Sequence, residues 1–446
     1  MKSSLGLKLG VIGLLSIVLL AGLMWIGSIV RERQMRRDAV VQEIADSSSG
    51  AQRLEGPILV VPYEKTVKEW KEDAGSGNRH AEERQVHEQM LILPEVFRVE
   101  GAVPTELRRR GIYVARLYHA SLRIQATFQI QPHYGVADFA SYHFEQPSIA
   151  LGITDIRGIE NASKVLLNGT PLKFLAGSTS ALIGSGLHAP IPPADGDQPS
   201  HLEFAIDLGI QGTSELDVVP VGRDSQISLN SNWPSPSFNG RYLPVKHTIN
   251  TAGFDAQWST SFFSTNLEEA LHACTETQAC DEFNSRVLGV SFIDPVDQYL
   301  KTDRAIKYAF LFISLTFAGF FLFEVLKKLA VHPIQYSLVG AALAIFYLLL
   351  LSLAEHLGFA TAYVLSSGAC VTLIGFYVSG ILRSAPHGLA FAGSLAALYG
   401  MLYVLLSADD YALLMGSVLL FGLLAAVMVL TREVDWSSLG RKEEIQ

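Results

Sequence analysis

The chain has 446 residues and a formal net charge of −9 at pH 7, with a mean hydropathy of +0.28. It is too apolar for an ordinary soluble protein of this length, and its acidity without a Lys/Arg-rich run excludes nucleic-acid binding, which needs a basic face to displace phosphate counterions. Three cysteines are too few for a disulfide scaffold.

In chain order, Lys2 and Lys8 precede an apolar run from Leu9 to Val30, interrupted only by Gly and Ser. That run is long enough for a ~30 Å hydrocarbon core. With no small-residue cleavage pattern after it, it reads as an uncleaved anchor. Arg31 to Ala45 mixes charge with helical spacing and extends the anchor as a stalk.

The period then changes to two. In Leu122–Ile130 and Leu202–Ile210 apolar residues alternate with polar ones, the pattern of strands with one buried face in antiparallel sheets. Ile58 to Val61, Gln89 to Leu93, Leu216 to Val219 and Gln226 to Leu229 read as further strands, and Asn168-Gly169 as a hairpin turn. Lys65 to Arg84, with Gly75-Ser76-Gly77-Asn78 at its centre, and Ala176 to Ser200 read as surface loops. Trp233 to Pro244 (WPSPSFNGRYLP) sets Trp233, Phe238 and Tyr242 among prolines. Its two readings are a rigid contact loop and ordinary packing. Cys274 and Cys280 are spaced for a bridge if the domain faces an oxidising compartment. His272 adds a third metal donor, without a fourth.

Five more apolar segments follow: Tyr308–Leu326, Ile334–Ala354, Ala360–Leu382, Leu389–Leu406 and Tyr411–Leu430. Each approaches the ~20 residues a bilayer requires. Lys327/Lys328, Arg383 and the tail with Arg432, Arg441 and Lys442 mark one side; Glu355-His356 and Asp409-Asp410 mark the other. The positive-inside rule makes the first side cytoplasmic. Arg31, Arg33, Arg36 and Arg37 after the first span, and Lys301, Arg304 and Lys307 before the second, pull the opposite way. Long domains translocate largely regardless of charge, so the short-loop bias is followed.

The expected architecture is an α-helical membrane protein of six transmembrane helices with a large antiparallel β-rich, sandwich-like periplasmic domain. It divides into an anchor (1–30), the β-rich domain (31–304), a five-helix bundle (305–431) and a cytoplasmic tail (432–446). Ionisable residues gather between Phe321 and Tyr363, where Glu324, His332, Gln335, Tyr336, Glu355 and His356 are the candidates for function. They divide into two groups a span apart, ~30 Å, and their other reading is helix termination. No P-loop, dinucleotide glycine fingerprint or nucleophile elbow is found. His80 and His87 share a charged stretch that fixes no geometry.

The runs E-V-L-K-K, H-P-I-Q-Y-S-L-V-G and F-Y-L-L-L-L-S-L-A-E-H are joined by Ser48-Ser49-Gly50, Leu54-Glu55-Gly56-Pro57, Trp233 to Pro244 and Arg304 to Ala309. Together they resemble the CreD family of bacterial inner-membrane proteins. The resemblance implies a role in envelope integrity, stress response and colicin tolerance. It attaches no catalytic role, cofactor or metal to these motifs. The partners expected are the lipid bilayer and an envelope protein or a cell-wall or lipid component, with no nucleic acid. A transporter or membrane enzyme acting on a lipid-linked or amphipathic substrate is the alternative.

Overall fold

The computed structural model describes residues 5–72, 79–160, 163–180, 183–193, 196–277, 280–292, 298–326, 331–407 and 412–432. It falls into two compact units, one of residues 1–38 with 296–446 and one of residues 39–295. Helix α1 (Leu5–Ser47) contributes to both as one unbroken helix, as the anchor-and-stalk reading expects.

The β-rich unit contains β1 (Gln52–Glu72), β2 (Arg79–Ile92), β3 (Val96–Ala102), β4 (Thr105–Arg110), β5 (Tyr113–Ile130), β6 (Tyr142–Phe144), β7 (Ser148–Ile153), β8 (Lys164–Leu167) and β9 (Thr170–Leu172). It continues with β10 (Leu175–Ala176), β11 (Gly186–Pro190), β12 (Ser200–Thr213), β13 (Glu215–Val218), β14 (Asp224–Ser231), β15 (Ser237–Gly240), β16 (Lys246–Asn250), β17 (Gly253–Ser261) and β18 (Leu288–Ser291). Short helices α2 (Phe262–Thr265), α3 (Leu267–Thr277) and α4 (Asp281–Asn284) precede the last strand. One sheet runs β10-β11-β7-β1-β13-β18-β15, with β2 and β6 also on β1. The other runs β16-β17-β14-β3-β5-β12-β8-β9, with β4 on β5.

The alternating stretches behave as expected: β5 and β12 pair antiparallel, Leu122 opposite Leu208 and Ile124 opposite Ile206, and these apolar positions are buried. Each such side chain contributes about 1.5–3 kcal/mol by leaving water. Asn168 (φ 48°) and Gly169 (φ 80°) make the tight turn between β8 and β9, where two positive φ values suit the strand twist.

Three expectations change. The sheets are mixed, because β1 pairs parallel with β13 and β14 parallel with β3. Lys65 to Arg84 is mostly strand, since β1 and β2 stay paired from Leu59↔Ile92 out to Glu72↔Arg79. Polar residues on both faces of this outer ladder hide it from a search for alternation, and the Gly75–Asn78 segment lies outside the described residues. Ala176 to Ser200 contains β11, whose Gly186 lies so close to Leu151 O that no Cβ fits.

Where α1 ends, Ser48-Ser49-Gly50 enters a network that fastens the stalk to the sheets. Ser49 Oγ donates to Gln211 O (2.6 Å), and Gln52 Nε2 donates to both Asp155 O and Gln211 O (2.9 Å each). Gly50 N–H donates to Asp155 Oδ2 (3.1 Å), while Thr213 N–H and Oγ1 donate to Gly50 O and Ser49 O. Arg157 binds Asp155 and donates to Asp46 O. The Arg157 hydrogen bonds hold the Asp155 carboxyl at about 2, against the opposing effect of burial.

Cys274 and Cys280 are disulfide-bonded, with Cα atoms 4.5 Å apart. Both sulfurs are thus used, which removes the metal reading with His272. Cys274→Ser should lower the stability of the β-rich unit by about 2 kcal/mol, the closure entropy of so short a loop. A thermal melt with and without reductant checks this. A melt insensitive to both the substitution and the reductant would show that the bridge is dispensable.

The helical unit contains the first part of α1 with α5 (Gln298–Leu326), α6 (Pro333–Leu357), α7 (Phe359–Leu382), α8 (Ala385–Ser407) and α9 (Ala412–Thr431). Among the described residues five helices, namely α1 and α5 to α8, are long and apolar enough to cross a membrane. The last expected span, Tyr411–Leu430, falls on α9, and Tyr411 lies outside the described residues. Small residues set the helix spacing: a Cβ on Gly375 would lie 2.7 Å from that of Ala392, and one on Gly388 would strike Ser379. Such close approach lets dispersion hold helices together where lipid removes the hydrophobic drive.

Candidate functional site

At the α5–α6 turn, Glu324 is buried. Its carboxylate accepts from Val331 N–H (3.2 Å) and from Tyr336 OH (2.9 Å). Phe317 and Phe320 pack edge-on against the Tyr336 ring. His332 caps α6: its Nδ1 accepts from Ile334 N–H (3.3 Å) while Gln335 Oε1 accepts from His332 N–H (2.9 Å). Pro333 occupies the first helical position, where a missing N–H costs nothing. Four of the six candidates thus build a helix restart. Lys327 and Lys328, one turn on from Glu324, lie outside the described residues.

Twenty residues separate Gln335 from Glu355, ~30 Å at the helical rise, so the two groups stay apart as expected. Glu355 Oε1 accepts from Tyr299 OH at 3.2 Å and lies 3.9 Å from Arg33 Nε. The Arg37 guanidinium stands 5.7 Å from the centre of the Tyr299 ring. One carboxylate therefore ties α1, α5 and α6. His356 is exposed beside it, and Gly358 (φ 80°) ends the helix.

Cys370 lies in α7. It is buried, but it also belongs to a polar chain through α6, α7 and α8. Tyr363 OH donates to Tyr399 O (2.7 Å), Tyr399 OH to Cys370 Sγ (3.2 Å), and the thiol to Ala342 O (3.6 Å).

In the β-rich unit, Trp233 is 9% exposed. Its ring lies 3.4 Å from the Arg116 guanidinium carbon, and its Nε1–H donates to Ser235 O (2.8 Å). Phe238 sits in β15, edge-on to Phe254 and Trp258. Tyr242 is half-buried against the same core. The structure turns these rings inward, so the segment presents Leu243 and Val245 to solvent instead.

A second group in this unit was missed. Arg53, Asp217, Gly289 and Asn239 are successive partners across β1, β13, β18 and β15, and Glu55 lies two residues beyond Arg53 on the same face. Arg53 Nη2 is 3.7 Å from Glu55 Oε2 and donates to Asn284 Oδ1 (3.2 Å). Asn239 Nδ2 donates to Glu215 Oε1 and to Ser291 Oγ. Four buried atoms have no hydrogen-bond partner: Arg53 Nε, Glu55 Oε1, Asp217 Oδ1 and Asn239 Oδ1. Burial pushes the Glu55 carboxyl up to about 7, more than the Arg53 charge restores. Asp217 is pushed to about 6 by burial and by Glu215, opposed by Asn239 and Arg53. Gly289 and Gly152 leave room for these carboxylates, since a Cβ on Gly289 would meet Asp217 Oδ1 and one on Gly152 the Glu55 side chain. Burial thus holds both carboxyls toward their neutral forms. The sequence signal of this row, the polar side of E-L-D-V, looks like any wet strand face.

Comparison with known proteins adds three findings. A family model described as "Inner membrane protein CreD" matches residues 4–437. The chain is similar to the inner membrane protein CreD of Escherichia coli (strain K12), with 36% identity over 420 residues, 94% of this chain and 91% of the relative. Among solved structures, it is matched to the M1 zinc metallopeptidase from Deinococcus radiodurans at 6% identity and a TM-score of 0.18, over 37% of this chain and 38% of the peptidase. A mutant of that enzyme bound to a Tyr-Ser-Ala substrate matches at 7% identity and the same TM-score. A superposition that poor carries no argument.

Proposed function

Because the chain belongs to the CreD family of inner membrane proteins, we propose that it is a non-enzymatic component of the bacterial cell envelope. In this reading six helices cross the inner membrane, both termini are cytoplasmic, and the β-rich unit lies in the periplasm. There it contacts an envelope protein or a cell-wall or lipid component. The role is envelope integrity under stress, including tolerance of colicins. The disulfide supports an oxidising compartment for the β-rich unit. The apolar composition of α9 supports a sixth span.

The observation that carries this reading is how the two bundle carboxylates are engaged. Glu324 closes a turn and Glu355 ties three helices. Both act near helix ends, whereas a proton-coupled transporter places a carboxylate near mid-span. The Tyr363–Tyr399–Cys370 chain favours the alternative, a transporter or membrane enzyme for an amphipathic substrate.

Complementation of a deletion strain under an envelope challenge separates the two, with membrane levels followed by blotting. Glu324→Gln and Glu355→Gln should complement in proportion to the protein present. Leu243→Asp with Val245→Asp should reach the membrane and fail. Failure of Glu355→Gln at a normal level would shift the function to the bundle.

A further inference from the structure

Strand β1 runs between β2 and β6, and one register row carries metal donors across all three. Glu64 stands opposite His87 on β2 and opposite His143 on β6. Directly paired residues share a face, with Cβ atoms about 5 Å apart. Glu145 follows His143 by two residues and so returns to that face. Its N–H donates to Pro62 O (2.9 Å), which fixes it one step along the row.

The donor atoms of Glu64, His87 and Glu145 lie within 4.8 Å of one another, and His87 Nδ1 is 3.3 Å from Glu64 Oε1. Tetrahedral coordination at ~2.0–2.1 Å per bond sets donors about 3.3 Å apart. The first pair already has that spacing; Glu145 would close in from within 4.8 Å, and His143, which stands outside that cluster, would have to turn toward Glu64. Among the described residues, neither carboxylate has a Lys or Arg within ion-pair distance. Two acidic groups therefore converge with only an imidazole between them.

We propose that Glu64, His87 and Glu145, with His143 as fourth ligand, form a binding site for a divalent transition-metal ion of the zinc class. Imidazole with carboxylate suits zinc and its neighbours, whereas calcium and magnesium require oxygen donors throughout. The site would pin the outer part of the β1–β2 hairpin to β6, a three-residue strand already held by its pairing and by the packing of Tyr142 and Phe144 on Tyr63. His143-x-Glu145 is a strand spacing that was readable in the sequence, but its partners are joined to it only by register.

The test uses the full-length chain in detergent, without a histidine tag, stripped with chelator and titrated calorimetrically with zinc chloride. One ion per chain at micromolar affinity or tighter is expected, with calcium giving no heat. His87→Ala and Glu64→Gln should each weaken binding at least about 10-fold. Cobalt should give the visible spectrum of a four-coordinate site, lost in His143→Ala. His87 and His143 are exposed and Glu64 is half-buried, so without metal the His87→Ala and His143→Ala variants should melt like the parent. Zinc bound equally by the parent and His87→Ala, or calcium bound as well as zinc, would overturn the assignment. An unchanged cobalt spectrum in His143→Ala would remove His143 from it.

Discussion

Replacing Glu55 with Gln will stabilise the β-rich unit by about 3 kcal/mol at a pH near 8 and flatten its pH dependence. Burial holds the folded carboxyl near 7, against an ordinary value of 4.5 in the unfolded chain. Between those values the folded state keeps a proton that the unfolded state has released, so stability falls as the pH rises. Below about 4.5 both states are protonated and nothing is lost. Above about 7 the full cost is present, and at 1.36 kcal/mol per unit it amounts to about 3 kcal/mol. Gln has the same shape and no charge to desolvate. Urea unfolding of a 39–295 fragment, which has its own continuous core, checks this across that range. Parallel pH profiles for parent and variant would sink the idea.

Gly158→Ala is expected to cost roughly 3 kcal/mol, and Gly50→Ala almost nothing. A Cβ on Gly158 would strike Gln211 O and Gln52 Nε2 and lie 3.0 Å from Ser49 Cβ, whereas one on Gly50 meets nothing within 4 Å. The main obstacle is a backbone carbonyl in a paired strand. Relief requires moving β12 or breaking the Gln52 hydrogen bonds, and overpacking of that kind costs about 1–3 kcal/mol before any bond is lost. Steady-state level and melting temperature report the difference. Equal effects of the two substitutions would mean that the approach at Gly158 is not tight.

The sequence made the period-two strands legible because each has one buried face: Leu122–Ile130 and Leu202–Ile210 became the antiparallel pair at the centre of one sheet. It hid the β1–β2 ladder, whose outer half has no buried face to leave a pattern. The span from Ile334 was readable, and His332 and Gln335 cap its start. Trp233 and Phe238 stand, in the sequence, between a contact loop and ordinary packing because composition does not say which way a ring points. Glu55 and Asp217 were passed over for a related reason. Alternation shows that a face is polar, and only tertiary structure shows that it is covered.

The network around Ser49, Gln52 and Asp155 has a mechanical consequence. Tension carried along the stalk enters the sheets through bonds that end on separate segments, namely Gln211 and Thr213 of β12 and the 155–157 turn. These bonds act side by side, so the load is shared as it is among rivets in a lap joint. The junction therefore acts as a fixed mount for the end of the stalk rather than as a compliant spring.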